Sequence, residues 1–570
     1  MQLADLIAAA NGKRPVDLLL KNGRLVNVLS GEIHHASVAI AEDLVVGFGD
    51  YDATEVLDLE GRYIVPGFID GHVHIESSML DPAQFARNVA PLGTTSVVAD
   101  PHEIANVLGV EGVRYMLEAS RHLPVRVFIM FPSCVPATPF ETSGAEILHG
   151  DMVGLKDHER VPGLAEVMNF PGLVAGDEEL IKKVTLFSDK VIDGHAPGAS
   201  GKFLCAYVAA GVGSDHECTG IDEAREKLRL GMRVMIREGS AAKNMDALLP
   251  LVNEHNSRNC FFVTDDMDPR DILEQGHINR ILRKAISKGL DPLRAVQMAT
   301  INTARYFGLK KLGAVRPGYF ADLLVLENLE EIIIDRVYQG GRLTAVNGKI
   351  IVDCPSIPSD GVTRTINVDW AKASDLSIAA QGDMVNVIQV VPGEIVTKRI
   401  VEKTPRSDGL VVSDPSRDIL KIAVIERHRA TGRHAVGLIK GFGLKRGAMA
   451  GTVAHDSHNI IVIGVNDRDM LVAAKEAANM GGGLVAAADG AVLERLALPI
   501  AGLMSDRPLE EVTTGLGRLI RCVHDMGCPL EAPFATMSFM ALTPIPELKM
   551  TDMGLFDSVN FRFTSLFEGE

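Results

Sequence analysis

The chain has 570 residues, 46% hydrophobic and 23% charged, a globular composition that excludes a disordered or fibrous protein and is long enough for roughly two to four domains. Fifty-seven basic against 74 acidic side chains leave a formal charge of −17, which disfavours nonspecific attraction to nucleic acid or anionic lipid. The first ten residues carry Asp5 and no basic segment ahead of a long apolar core, no apolar run reaches membrane-spanning length, and seven cysteines are scattered without a Cys-x-x-Cys pair. A secretory leader, a membrane span, a zinc ribbon and a disulfide framework are therefore not expected, and a reducing cytoplasm fits best.

In chain order, residues 17–28, 36–40 and 44–49 read as short antiparallel strands, and the same texture returns at 318–326 and 344–352. These flanks are expected to form one composite β-sandwich-like domain from residues 1–61 and 308–354. The insert, 62–307, carries eight strand-like apolar runs: the one ending at Ile69, then 95–99, 125–131, 164–168, 190–192, 211–213, 233–236 and 261–264, mostly separated by helix-length stretches. Such βα alternation predicts a (β/α)8 barrel, whose chemistry sits at strand C-termini. A turn-rich linker, Cys354-Pro355-Ser356-Ile357-Pro358-Ser359-Asp360-Gly361, leads to a third region, 362–570. There a buried-strand run at 459–464 precedes helical periodicity at 469–478 and a Gly481-Gly482-Gly483 turn, predicting an α/β or α+β domain. The glycine turn lacks the spacing of a phosphate-binding loop.

Chemistry gathers where the barrel runs stop. Residues 66–78 close an apolar run with His72 and His74, which alternation places on one face of a strand. Glu166, His195, His216 and Asp265 follow at later strand ends. Imidazoles suit zinc, iron(II) or manganese(II), and a carboxylate at Glu166 is expected to bridge two ions that share a hydroxide. Asp265 is placed to accept a proton from the activated water and return it to a leaving group. The bland reading of the set is a polar barrel mouth without metal.

These residues resemble the amidohydrolase superfamily, whose members carry a split β-domain around a metal-bearing barrel with His-x-His, a bridging acid, two more histidines and an aspartate. The pattern maps onto His72, His74, Glu166, His195, His216 and Asp265. Relatives that open cyclic amides often have a carboxylated lysine at the bridge, where this chain has Glu166. Longer segments, at 66–80, 100–107, 193–198, 214–217 and 453–459, resemble the adenine deaminase family over nearly the whole chain.

That resemblance implies hydrolysis of the 6-amino group of free adenine to hypoxanthine and ammonia, in purine salvage, by a metal-activated hydroxide at two divalent ions, manganese or iron with zinc also compatible. It implies a small-molecule substrate and a homo-oligomer, with no nucleic-acid or membrane partner. Attack at C6 puts negative charge on N1, so an acid there stabilises the transition state, and Glu166 is the leading candidate. Asp100 and Glu103 either bind the purine edge or cap a helix N-terminus. Arg237 and Glu238 offer donors and acceptors for the ring, with a structural ion pair as the alternative for Arg237. His455-Asp456-Ser457-His458 reads as a polar turn before a buried strand; a part in the active site requires the third region to dock on the barrel, or a second subunit. The other functions to weigh are a cyclic amide or ureide amidohydrolase and a non-catalytic amidohydrolase-like scaffold.

Overall fold

The computed structural model describes residues 1–240 and 242–569. Its N-terminal flank is organised by the strand Val16–Asn27, which pairs antiparallel with Glu32–Ala41 and parallel with Ala53–Asp58 and Tyr63–Pro66. Tyr63–Pro66 then takes Leu323–Asn328 antiparallel, and Ile333–Gln339, Arg342–Val346 and Lys349–Ile350 extend the same nine-stranded sheet. Both flanks of the chain thus share one hydrogen-bonded sheet, cored by Leu20, Leu25, Ile40, Val45, Ile64, Leu323 and Val325.

Between the flanks, eight parallel strands form the barrel: Phe68–His74, Thr94–Ala99, Arg126–Ile129, Gly163–Val167, Val191–Gly194, Ser214–Asp215, Arg233–Arg237 and Cys260–Val263. The ring closes where Asp265 and Asp266, just past the eighth strand, pair with Val73 and His74 on the first. The sixth strand comes later than the expected run at 211–213, because Gly211 still turns the chain at φ 103° and the Gly213 N–H is the first to bond the neighbouring strand, at Ile192 O. An inner layer of Ile69, Val98, Met130, Ala165, Met235, Phe261 and Val263 fills the barrel below its mouth.

The first strand changes parity inside this layer. Ile69 packs inward, and a Cβ on Gly71 would lie 2.6 Å from the Phe261 ring, so position 71 also faces in and admits only glycine. A shift of register between Asp70 and Val73 then hands the inner face to His72 and His74.

The third region is an eight-stranded sheet, antiparallel except where Met384–Val390 meets His434–Lys440. The antiparallel pairing makes it α+β. On one face, Ala448, Ala450 and Ala487 leave room for the helix Asp467–Asn479, which Asn466 caps through the Asp469 N–H. The helix Leu509–Asp525 covers the other face where the strands Gly483–Ala488 and Ala491–Ala497 present Leu484, Ala486 and Leu496.

This region docks on the barrel mouth. Ile500, Leu503, Met504 and Leu509 enter the core built around Phe85, Val89 and Val113, and Ser505 exchanges backbone bonds with Met79 and Asp81. Thr142 donates its hydroxyl to Asp552 at 2.6 Å, and its carbonyl accepts from the Asn459 amide at 2.8 Å. Among the described residues no helix is long and apolar enough to cross a membrane, and all seven cysteines are unpaired.

Candidate active site

At the C-terminal rim of the barrel, five imidazoles approach the buried Glu166 carboxylate: those of His72, His74, His195 and His216 and, with Nδ1 3.6 Å from Oε1, that of His102. Its Oε1 lies 3.8 Å from His72 Nε2 and 3.5 Å from His74 Nε2; its Oε2 lies 2.7 Å from His195 Nδ1 and 3.3 Å from His216 Nε2. One carboxylate oxygen therefore faces each histidine pair. Asp265 Oδ1 approaches the first pair at 3.5 and 3.1 Å. Its backbone adopts φ 60°, a left-handed conformation that aspartate tolerates and that costs on the order of 1 kcal/mol at such a site.

The donor set fits divalent metal. Bonds of about 2.0–2.2 Å place neighbouring ligand atoms about 3.0–3.5 Å apart around one ion, close to the spacings above. His74 Nδ1 is bonded to Asp100 O at 2.9 Å, leaving Nε2 for a ligand, and the buried His72 Nε2 has no hydrogen-bond partner. The sets of ligand atoms close enough to share an ion overlap: Glu166, His195 and His216 form one, His72, His216 and Asp265 another, and His74 belongs both with Asp265 and Asp266 and with Asp100, His102 and Glu166.

Charge is finely divided among the carboxyls. Against the raising effect of burial, the Arg237 guanidinium and the facing histidines hold Asp265 well below the usual carboxylate range. Burial likewise opposes ionisation of Glu166, yet His216 and His195 hold it well below that range. Asp456 differs: burial pushes it up, aided by the Glu103 and Glu166 carboxylates and opposed by His102 and His455.

The remaining expected residues divide. Arg237 lines the cavity, but its Nη1 and Nη2 are taken by Glu217, with Nη1 also on Asp265 Oδ2 at 2.8 Å, so it orients acids as the ion-pair alternative held. Glu238, next along the same strand direction, turns away to Lys284 Nζ at 2.6 Å and does not line the cavity. Asp100 does not line it either, because Oδ1 accepts from the His102 N–H and Oδ2 lies 3.2 Å from His102 Nδ1. Glu103 does reach the cavity wall, but its two oxygens hold His455 Nδ1, at 2.9 Å, and His458 Nε2.

That last contact corrects the reading of residues 455–458 as a plain polar turn. His455 and Asp456 line the cavity, and Ile395, Phe539, Leu542, Pro544 and Ile545, all from the third region, complete it as an apolar roof. His455 stacks on Phe539 with ring centroids 4.8 Å apart and 9° between planes. His102 and Glu217 also line the cavity; both stand beside residues already singled out, in Asp100-Pro101-His102-Glu103 and His216-Glu217, and adjacency to a strand-end acid or histidine was the available signal. The roof residues carried none.

Residues 63–351 match the amidohydrolase family and residues 394–562 match the adenine deaminase C-terminal domain. The chain is 49% identical to an adenine deaminase of Kosmotoga olearia, with all of both chains covered, and 49% identical to one of Desulfatibacillum aliphaticivorans, with 99% of each covered. It is 48% identical to adenine deaminase 2 of Carboxydothermus hydrogenoformans over 98% of each. Among solved structures, a β-aspartyl dipeptidase of Fervidobacterium islandicum AW-1 is 16% identical, with a TM-score of 0.44, over 59% of this chain and 98% of that one.

Proposed function

The chain belongs to the adenine deaminase family of the amidohydrolases, and from that premise we propose that it hydrolyses the 6-amino group of adenine, releasing ammonia and leaving hypoxanthine. The observation that carries the reading is Glu166 offering one oxygen to each histidine pair, inside a cavity whose roof comes from the adenine deaminase C-terminal domain.

In this proposal His72, His74, His195, His216, Asp265 and Glu166 are the residues that would hold a divalent metal centre. Bound there, the ions supply Lewis acidity and bring the acidity of water toward neutrality. Asp265, kept ionised by Arg237 on Oδ2, receives the proton of the attacking water at Oδ1 and passes it to the departing amine. Negative charge arriving on N1 is met by Asp456, a carboxyl with one buried oxygen lacking any partner and a raised pKa. Ile395, Phe539, Leu542 and Ile545 offer an apolar surface to the flat faces of the base and exclude water above it.

The donor types accept manganese, iron or zinc, and manganese or iron is proposed. The same proposal extends to purine salvage in a reducing cytoplasm by a homo-oligomeric enzyme, in keeping with seven unpaired cysteines. Steady-state ammonia release from adenine, adenosine and guanine, on protein of measured metal content, tests the reading. Turnover of adenine well above the other two is expected; metal-replete protein inert toward adenine would overturn it.

A further inference from the structure

The cavity roof is held from behind by one lysine. Lys549 lies in the strand Leu548–Thr551 with no exposed surface. Its Nζ donates to Ile395 O at 2.8 Å and to Phe539 O at 3.0 Å. Both acceptors belong to residues that line the cavity. Among the described residues the ammonium forms no ion pair, and burial with no neighbouring charge pushes it down to about 7.

A buried ammonium without a counter-charge is costly, and an apolar side chain of similar length is often as stabilising or more so. What such a side chain cannot do is hold two carbonyls from segments far apart in the chain. Thr397 reinforces the arrangement, its N–H donating to Pro546 O at 2.9 Å and its hydroxyl to Leu548 O at 2.7 Å. The backbone around Ile395 is thereby tied to the segment that carries Pro544 and Ile545, and Lys549 adds the third segment at Phe539.

We propose that Lys549 is a positioning residue for the substrate: by bonding Ile395 O and Phe539 O together it fixes the spacing of the roof segments and so the height of the slot that receives a flat base. The inference rests on the adenine reading of the cavity. Lys549 does not line the cavity, so its loss acts on binding rather than on the chemical step. Lys549→Met removes both bonds at nearly constant volume. Lys549→Gln keeps two donors on a shorter stem.

The test compares kcat, KM for adenine, metal content and thermal midpoint of the wild-type protein and both variants, all metal-replete. For K549M the expected result is a KM raised about fivefold or more, the loss of roughly one modest positioning interaction, with kcat within about twofold and metal unchanged. K549Q should fall between the two. A wild-type KM in a folded K549M overturns the proposal, as does a fall in kcat equal to the rise in KM. If K549M does not fold, K549Q decides: a KM raised at least about twofold at constant kcat supports positioning, and a wild-type KM assigns Lys549 to folding alone. Absence of adenine turnover in the wild-type protein itself sinks the adenine reading, and the positioning role with it.

Discussion

Replacing Glu103 by glutamine should loosen the third region from the barrel, and by an amount that depends on pH. The Glu103 carboxylate bonds His455 Nδ1 at 2.9 Å and also holds His458 Nε2, all three groups being buried. Burial alone would lower His455, but Glu103 foremost, with smaller contributions from Asp266 and Asp456, overrides it and raises His455 from 6.5 to about 9. At 1.36 kcal/mol per pH unit that rise is worth about 3 kcal/mol, and because the matching depression of Glu103 describes the same attraction it is counted once. The folded-state value lies above the unfolded one, so this stability is fully present below pH 6.5 and is lost as pH climbs through 9. His458, pushed by burial down to about 4, stays neutral across that window. Glu103→Gln should therefore destabilise by about 3 kcal/mol near pH 6.5 and by less than about 1 kcal/mol at pH 9.5. Trp370 is the only tryptophan, and it packs beside the core of the third region, so urea unfolding followed by its fluorescence reports the right transition. The measurement is best made on metal-stripped protein, where no ion's charge enters. A difference of the same size at both pH values, or one below about 0.5 kcal/mol at pH 6.5, would refute the reasoning.

The site itself supports further tests. Asp265→Asn should lower kcat by about 10²–10⁴-fold, read by ammonia release, and a near-normal rate removes the proton shuttle. With Glu166→Gln, both metal content and activity should drop together in elemental analysis and assay, whereas unchanged metal would mean that no bridge passes through residue 166. Asp456 must be protonated to serve N1, so wild-type kcat should decline as pH rises through its elevated pKa. Asp456→Asn should cost kcat about 10²-fold or more and lose that decline, while an unaltered pH profile in the variant places the acid elsewhere.

Much of the catalytic rim was legible because strand ends announce themselves locally. His195, His216 and Asp265 each follow an apolar run, and simple alternation put His72 and His74 together. That success was partly fortunate. Had the first strand run on regularly from Ile69, the inner face would have carried Ile69, Gly71 and Val73; the shift beside Gly71 is what turns the histidines in. Alternation also argues against the pairing of Arg237 with Glu238 in one binding role, since neighbours on a strand point oppositely, and Glu238 indeed turns to Lys284. What could not be read was any contact made by docking. Glu103 and His455 lie more than three hundred residues apart, and no periodicity links them. Lys549, in Leu548-Lys549-Met550-Thr551, looks like an ordinary solvent-facing strand lysine until both of its carbonyl partners are in view.

The order in which the cavity's parts occur along the chain has a consequence for its assembly during synthesis. Every proposed metal ligand lies between residues 72 and 265, whereas the roof comes from residues 395 to 545. At about 5–20 residues per second, a ribosome needs roughly a quarter of a minute to a minute to travel from the last ligand to the last roof residue. Until that residue is made, the nascent chain holds every proposed ligand beneath an incomplete roof. Chain order therefore leaves an interval in which metal loading can precede closure of the roof.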